Sequence, residues 1–307
     1  MILIVLEKIA IMFIVLALGF FSYRKNLLDD HMVKKLSTFL LQVISPLLLF
    51  VSYQMSYNEE LLLNLGYAFL LSLGAFAIQI FLGHVLIPKR NRHHAVERLS
   101  VIYANCGFFG IPLIYGLFGS EGIFYLTAYL TVFYIFFWTH GVLLMIGRTT
   151  FKEAVRNLIS PAIVAVFLGL FCFSFQLMLP HVIVSALDSV ASMNTPLAML
   201  VAGATLAQSN IKACFSSGRA YWISAIKLLI IPFGVVIFMS FFAVSPMLRM
   251  VIILATACPV AVICTMFAVR YGKDGVYASY LFIVSTLFVV VSIPIVVAFS
   301  GLLGIRF

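Results

Sequence analysis

The sequence predicts an all-α membrane protein of ten transmembrane helices, arranged as two inverted five-helix repeats, and three observations lead to that prediction. First, 64% of the 307 residues are hydrophobic, 9% are charged, and the mean hydropathy is +1.17. Too few charged residues are present to cover the surface of a soluble protein of this length. Apolar runs long enough to cross a bilayer and a motif that occurs twice are the other two observations. Together they exclude a soluble enzyme.

The apolar runs predict the positions of the ten spans. Each run is bounded by charged or turn-forming residues. Spans 1 to 10 are predicted at residues 3–23, 36–53, 61–88, 99–118, 122–147, 158–180, 182–208, 220–244, 247–270 and 275–303. The joins at 118–122 and 180–182 are the shortest. The first run has neither a basic segment before it nor a small-residue cleavage motif, so it is predicted to be a retained span.

Lysine and arginine residues are distributed unequally between the two sides of the predicted membrane protein. Loops after odd-numbered spans hold Arg24, Lys25, Lys34, Lys35, Lys89, Arg90, Arg92, Arg98, Arg148, Lys152, Arg156, Lys212, Arg219, Arg270 and Lys273. The opposite side holds only Lys8, Arg249 and Arg306. Basic loops stay cytoplasmic, which predicts a cytoplasmic (plasma or inner) membrane protein with both termini outside. The net charge of +9 therefore reflects topology and lipid contact, and nucleic acid is not a predicted partner.

Neither a cofactor nor a metal site is predicted. The five cysteines lie mostly inside apolar runs and lack the paired loop spacing of a disulfide framework or a zinc site. A membrane-embedded enzyme would need a nucleophile and a base, or clustered metal ligands, at one depth of the bilayer. The predicted spans contain no such cluster of His, Asp and Glu, so the sequence favours a protein that is not an enzyme.

Two halves of the chain carry the same motif. Residues 118–124, FGSEGIF, align with residues 271–277, YGKDGVY, at an offset of 153. The prolines at 46 and 196 are 150 positions apart, and those at 112 and 259 are 147 apart. One five-helix unit is therefore predicted twice, in residues 1–147 and 148–307. Because five is odd, the second copy enters the membrane from the opposite side, an arrangement typical of secondary transporters.

Spans 4 and 9 each contain an interruption near the middle. Span 4 carries Gly107, Gly110 and Pro112, and span 9 carries Pro259 directly after Cys258. Such residues at mid-span predict a broken helix, although a packing kink is the alternative at either site. Interruptions at matching positions of two halves indicate the binding site of a transporter.

The two predicted breaks favour an anionic ligand. If both helices break and cross, each downstream half-helix points its partially positive amino-terminal end at the same volume. No carboxylate is expected at mid-span to offset that field, and Glu97 is assigned to a connecting segment. The one charge expected inside a span is Lys227, which either balances the ligand charge or extends to the lipid headgroups. A substrate that carries a carboxylate is therefore predicted.

Residues at the breaks are the main candidates for substrate binding. Asn105 precedes the interruption in span 4, and its amide is expected either to contact the substrate or to bond freed backbone groups. The other candidates at the breaks are Cys106, Gly107, Gly110, Pro112, Thr256, Cys258, Pro259 and Thr265.

Four further candidates lie outside the breaks. Ser45 and Asn194 are close to the prolines of spans 2 and 7, where a local bond to the bent backbone is the alternative role. Trp138 and His140 lie on the aromatic-rich span 5, where packing is the alternative to a role in a pocket.

At these residues the sequence resembles the auxin efflux carrier family, which includes plant auxin exporters and bacterial malate and malonate permeases. The resemblance is carried by Asn105, Gly110-Ile111-Pro112-Leu113, Gly119, Lys227, Pro232, the stretch from Pro259 to Asp274, Ser285-Thr286 and Pro294. Two differences stand out. Ile263 occupies a position where many bacterial members have a small polar residue, and only residues 148–157 join spans 5 and 6, where plant exporters carry a long loop.

The resemblance implies a fold like that of bile-acid transporters and sodium–proton antiporters. Spans 1, 2, 6 and 7 (about 3–53 and 158–208) would form a scaffold and a homodimer surface. Spans 3–5 and 8–10 (about 61–147 and 220–303) would form the moving transport domain of an elevator mechanism. The family holds a substrate carboxylate at the crossing of helices 4 and 9. Secondary transport of a small organic anion, such as malate, malonate or an auxin-like acid, is the expected function.

Two alternatives keep the same fold. One is sodium-coupled transport of another organic acid, and the other is a substrate-gated channel or receptor. Protons and sodium are both candidate coupling ions.

Overall fold

The computed structural model describes residues 2–89, 92–147, 160–208, 214 and 216–305, which form helices and turns and no β-strand. The α-helices are α1 (Ile2–Arg24), α2 (Asp30–Phe39), α3 (Ser45–Val51), α4 (Glu59–Leu86), α5 (His94–Ile102), α6 (Ile111–Phe136), α7 (Val142–Ile146), α8 (Pro161–Ser174), α9 (His181–Ala191), α10 (Asn194–Ala207), α11 (Gly218–Ala225), α12 (Ile231–Ser240), α13 (Pro246–Ala257), α14 (Val262–Arg270) and α15 (Gly275–Leu302). Short π-helical turns at Leu40–Ile44, Cys106–Gly110, Phe137–Gly141 and Ile226–Ile230 continue directly into α-helices. The predicted all-α class is confirmed.

Several helical segments are long and apolar enough to cross a membrane. In the described part of the chain they are Leu3–Arg24, Asp30–Val51, Glu59–Leu86, Cys106–Ile146, His181–Ala207, Gly218–Ser240 and Gly275–Leu302. Two shorter apolar helices, α8 and α13, accompany them. The prediction of a multi-pass membrane protein is therefore confirmed. Of the loop charges used for the topology, Arg90, Arg148, Lys152, Arg156, Lys212 and Arg306 lie outside the described residues, as do residues 148–157 between spans 5 and 6.

A glycine bends the chain sharply at the predicted join of spans 4 and 5. Gly119 interrupts α6 with φ +61° and ψ −149°, a backbone conformation that residues other than glycine rarely adopt. Gly272, the matching glycine of the second motif copy, also has a positive φ, of +65°. The two copies of the motif therefore share a conformational property as well as a sequence pattern.

Helices α1 and α10 pack against each other at very short range. A Cβ atom on Gly19 of α1 would lie 2.1 Å from the carbonyl oxygen of Leu200, and one on Gly203 of α10 would lie 1.9 Å from the carbonyl oxygen of Leu16. Apolar attraction between helices is weak in lipid, so close backbone packing at small residues is a main source of association. These two glycines set the separation of the two helices.

The predicted interrupted spans lie in the interior of the molecule. Residues 95–106 and 250–261 are buried without a break, and α13 packs against α4, α6, α12 and α15. A helix that is apolar and buried on every face belongs to the centre of a bundle. One boundary prediction is wrong: α5 begins at His94, so Glu97 and Arg98 belong to a buried helix and not to a loop.

Gly203→Ala is expected to destabilise the protein by about 1–3 kcal/mol, because the added methyl group overlaps the backbone of α1. Gly66→Ala is the matched control, since nothing lies within 4 Å of the position of its Cβ. The measurement is thermal unfolding of both variants in detergent. Equal melting temperatures for the two variants would contradict the close α1–α10 contact.

Candidate functional site

The two helix breaks lie side by side and are joined by backbone hydrogen bonds. The amide of Asn105 donates to the carbonyl of Pro259 at 2.8 Å, and the amide of Ala261 donates to the carbonyl of Tyr103 at 3.2 Å. Between these bonds the two segments of the chain run antiparallel. Backbone groups inside a membrane protein need such partners when a helix is broken. The breaks predicted in spans 4 and 9 are therefore present, and they lie against each other at a place called the crossing below.

The break in span 4 lies a few residues before Gly107, Gly110 and Pro112, the residues from which it was predicted. Helix α5 ends at Ile102, whereas Gly107 and Gly110 belong to the following π-helical turn and Pro112 to the first turn of α6. Because the π-helical turn runs directly into α6, Pro112 lies inside a continuous helical segment, where its missing N–H leaves a carbonyl of the preceding turn without that intrahelical bond. In span 9 the proline lies in the break itself, between α13 and α14.

Asn105 is held by its backbone, and its side chain takes no part in capping the helix that follows. Its carbonyl accepts hydrogen bonds from the amides of Phe109 and Gly110 at 3.1 and 3.0 Å. Its side chain makes no capping bond and the residue is 5% exposed. Next to it, a Cβ on Gly107 would meet nothing within 4 Å. Open space therefore adjoins the amino-terminal end of this half-helix.

Close approach of the two crossing chains depends on Gly110. A Cβ at this position would lie 3.2 Å from the Sγ atom of Cys258 and 3.4 Å from the Cβ of Cys106. Both cysteines are buried, and the thiol of Cys258 donates to the carbonyl of Leu254 at 3.2 Å. Cys106, Gly110 and Cys258 thus form the packed side of the crossing, while Gly107 faces its open side.

Lys227 is completely buried beside the break in span 9. Its Nζ donates to the carbonyl of Thr256 at 3.1 Å, near the end of α13. The amine therefore points to the crossing and does not extend to the lipid headgroups. Among the described residues, no carboxylate forms an ion pair or a hydrogen bond with it.

A chain of buried polar side chains continues from Thr256 into the bundle. The Oγ1 of Thr256 lies 3.3 Å from the hydroxyl of Tyr129 on α6, which accepts from the amide of Gln79 on α4 at 3.4 Å. The Oε1 of Gln79 is buried without a partner among the described residues. Sequence reasoning missed Gln79 and Tyr129. A lone amide inside an apolar span was the available signal, because polar groups at this depth are costly.

Ser45 and Asn194 bond to each other instead of to the bent backbone. The Nδ2 of Asn194 donates to the Oγ of Ser45 at 2.7 Å, which connects the starts of α10 and α3. The Oδ1 of Asn194 is buried without a partner in the described structure. The Oγ1 of Thr265, on α14, is likewise buried and unpartnered there. These side chains retain unused hydrogen-bonding capacity.

His140 contacts the break, whereas Trp138 packs beside it. The Nδ1 of His140 lies 3.0 Å from the hydroxyl of Tyr103, a residue of the span 4 break. The same hydroxyl donates to the carbonyl of Phe136 at 2.7 Å. The ring of Trp138 lies 5.2 Å from that of Phe267 on α14. Trp138 therefore packs against an aromatic ring of α14, and His140 is linked to the crossing through Tyr103.

Glu97 forms an ion pair that its expected loop position did not suggest. Its carboxylate is completely buried and accepts two hydrogen bonds from Arg219, at 2.9 and 2.7 Å. The hydroxyl of Tyr277 donates to it at 2.9 Å. A carboxylate enters the interior at acceptable cost only when it is paired in this way. The cluster joins α5, α11 and α15.

The two buried charges are expected to respond oppositely to neutralisation. Lys227→Met should leave the melting temperature unchanged or raise it, because it removes a buried ionisable group without a counter-charge. Glu97→Gln should lower the free energy of unfolding by about 1–3 kcal/mol, because it weakens charge-assisted hydrogen bonds. Thermal unfolding in detergent measures both, and a marked loss of stability in Lys227→Met would contradict this difference.

Comparison with known protein families identifies a match over most of the chain. The family model described as membrane transport protein matches residues 4–155 and 145–297, which together include nearly the whole chain. No individual curated protein matches the chain. The resemblance noted from the motifs is therefore confirmed, and the family indicates membrane transport. The chain is a multi-pass membrane protein that belongs to the membrane transport protein family, the family of the auxin efflux carriers.

Proposed function

We propose that the protein is a secondary active transporter of small organic anions, which binds the substrate carboxylate where the two broken helices cross. One observation gives this proposal its strongest support. Lys227 lies completely buried next to the crossing, and no carboxylate among the described residues balances it. An anionic substrate supplies the missing charge. A cation carrier would instead need acidic side chains at this place.

The backbone at the crossing adds to the attraction for an anion. The π-helical turn at Cys106 and helix α14 at Val262 both begin at the breaks. The first N–H groups of a helix lack intrahelical acceptors, and the helix dipole makes this end partially positive. Two such ends near one volume favour a carboxylate.

Asn105 is proposed as the side chain that fixes the orientation of the substrate. Its amide has both a donor and an acceptor, and it lies beside the open space at Gly107. The backbone of Gly107, Gly110 and Pro259 would line the site, with Thr256 behind it. Ser45, Asn194, His140 and Thr265 are proposed as outer contacts.

Ten spans in two inverted repeats remain part of this proposal. The segment Cys106–Ile146 has 41 residues. At about 1.5 Å per residue it is roughly twice as long as a bilayer core of about 30 Å. The bend at Gly119 divides it in two. Helices α13 and α14, with the break between them, would form another span together.

An elevator motion, with a homodimer and extracytoplasmic termini in the cytoplasmic membrane, is proposed for the assembled protein. Helix pairs α1–α10, α3–α8 and α2–α10 pack within the suggested scaffold. Pairs α4–α6, α12–α13 and α14–α15 pack within the suggested transport domain. Contacts of α1 with α6 and α15 join the two groups, and in this proposal they form part of the surface along which the transport domain moves.

Asn105→Ala and Pro259→Ala are each expected to reduce transport at least tenfold while protein levels stay near those of the wild type. For Asn105→Ala, loss of one hydrogen bond to a charged group corresponds to about 1.5–3 kcal/mol, hence roughly tenfold or more. Pro259→Ala restores an N–H and a freer backbone, which allows the helix to continue through the break and displaces the groups that line the site. Pro180→Ala is the control, because Pro180 is exposed at the start of α9. Wild-type flux through both site variants, at normal levels, would show that the substrate does not bind at the crossing.

Counterflow in proteoliposomes tests the transport activity itself. Vesicles are preloaded with malate, malonate, lactate or an indole carboxylate, and the entry of labelled malate is followed. Preloading with a transported carboxylate should drive transient accumulation of label above the external concentration. Accumulation that requires sodium would favour the sodium-coupled alternative. Flux that neither saturates nor shows counterflow would favour a channel.

A further inference from the structure

We propose that Lys227 takes up one proton with each substrate anion and releases both on the other side, so that transport is proton–anion symport. This inference deepens the proposed function and rests on it. The inference concerns the coupling ion, which membership of the family does not specify.

The surroundings of Lys227 do not compensate for a permanent positive charge. Its exposure is 0%, and its one hydrogen bond to the described residues is to the Thr256 carbonyl. Transfer of an ammonium group from water into a protein interior costs several kcal/mol unless a counter-charge and further hydrogen bonds offset it. A single neutral carbonyl does not provide that compensation, whereas a neutral amine can remain there at far lower cost.

Three titratable groups in the surroundings of Lys227 are thiols. Cys106 from the span 4 break, and Cys258 and Cys264 from span 9, interact with it electrostatically, and all three are buried. A protonated thiol carries no charge. These neighbours therefore provide no fixed negative charge against which an ammonium group could be held in the empty site.

Charged groups on the helices packed around Lys227 are already satisfied elsewhere. Glu97 of α5 accepts from Arg219 of α11 and from Tyr277 of α15. Arg98 of α5 donates to the carbonyls of Ile87 and His84. Arg249 of α13 donates to the carbonyl of Phe242. Tyr221 and Tyr280, on α11 and α15, are only partly buried, and α12 has no charged side chain.

The transport cycle then follows from charge balance. In the empty site the Lys227 amine is neutral. A carboxylate and one proton enter from the same side, the proton forms the third N–H bond, and the ammonium pairs with the carboxylate. After the conformational change that N–H bond breaks, and the proton leaves with the anion. The lysine returns neutral, so one proton crosses per anion.

Lysine suits this role better than arginine, which would hold its proton throughout. A guanidinium group remains charged at every physiological pH, whereas the amine of a buried lysine exchanges its proton readily. Lys227→Arg therefore keeps a positive charge at the crossing but removes the proton exchange. This substitution separates charge balance from coupling.

The test uses proteoliposomes with the membrane potential clamped at zero by potassium and valinomycin. The external pH is 7 and the internal pH is 8, so that malate and malonate stay ionised on both sides. Wild-type protein should accumulate labelled malate or malonate about tenfold, because one coupled proton converts one pH unit into a factor of ten. Lys227→Arg should show slower counterflow, and its remaining flux should only equalise the two concentrations. Lys34→Arg, at an exposed lysine of α2, should accumulate substrate like the wild type.

Three other results would contradict proton coupling through Lys227. Wild-type counterflow without accumulation would overturn the inference and leave the proposed function intact. Tenfold accumulation by both the wild type and Lys227→Arg would also overturn it, because the proton would then cross on another group. No counterflow with any carboxylate would overturn the proposed function as well.

Proton uptake on binding keeps the inference testable if Lys227→Arg carries no flux. Malate is added to detergent-solubilised protein in weakly buffered solution, and the pH change is compared with the amount of malate bound. The wild type should take up about one proton per bound malate, as the cycle above requires. Lys227→Gln should take up none per malate bound. Malate binding by the wild type without proton uptake would overturn the inference.

Discussion

The structure depends on how two broken helices satisfy their backbone groups in the interior of a membrane protein. A helix that stops inside the hydrocarbon region leaves N–H and C=O groups that water does not reach. Here each break supplies the partners of the other, through the Asn105–Pro259 and Tyr103–Ala261 hydrogen bonds. Neither break is stable alone, which requires α5, α13 and α14 to lie together at the centre. The open space at Gly107 and the helix ends at the crossing are consequences of this mutual pairing.

Two completely buried ionisable groups illustrate opposite responses to the cost of desolvation. Glu97 is paired with Arg219 and Tyr277, and this cluster ties the cytoplasmic ends proposed for three helices into one unit. Within the described part of the chain, the amine of Lys227 donates to a single carbonyl, that of Thr256. A stabilising role explains the first arrangement but not the second, because an unpaired buried charge weakens a fold. The difference between the two environments supports the proposal that Lys227 pairs with a ligand, whereas Glu97 belongs to a structural ion pair.

Glycines elsewhere in the molecule determine how the helices around the crossing pack and turn. Gly19 and Gly203 bring α1 and α10 together at backbone distance. Gly119 and Gly272 bend the chain at corresponding places of the two motif copies. The separation in sequence between the paired positions of the two halves is not constant, however. The two motif copies are 153 residues apart in sequence, whereas Ala104 and Val260, which face each other at the crossing, are 156 apart. The order and spacing of these glycines govern where helices approach and where they turn.

Local sequence properties and long-range contacts account for different parts of this protein. Apolar runs were sufficient to predict an all-helical, multi-pass membrane protein, because the bilayer imposes length and hydrophobicity on each span separately. Paired interruptions and the motif residues predicted the crossing and the family. The exact break at Tyr103–Asn105, the burial of Glu97 and the polar chain from Gln79 to Thr256 depend on residues far apart in sequence. Whether Lys227 reaches the headgroups or the crossing was likewise undecided by its position in span 8. Only packing against Thr256 decided it, because the environment of a side chain is set by the helices around it and not by its neighbours in the chain.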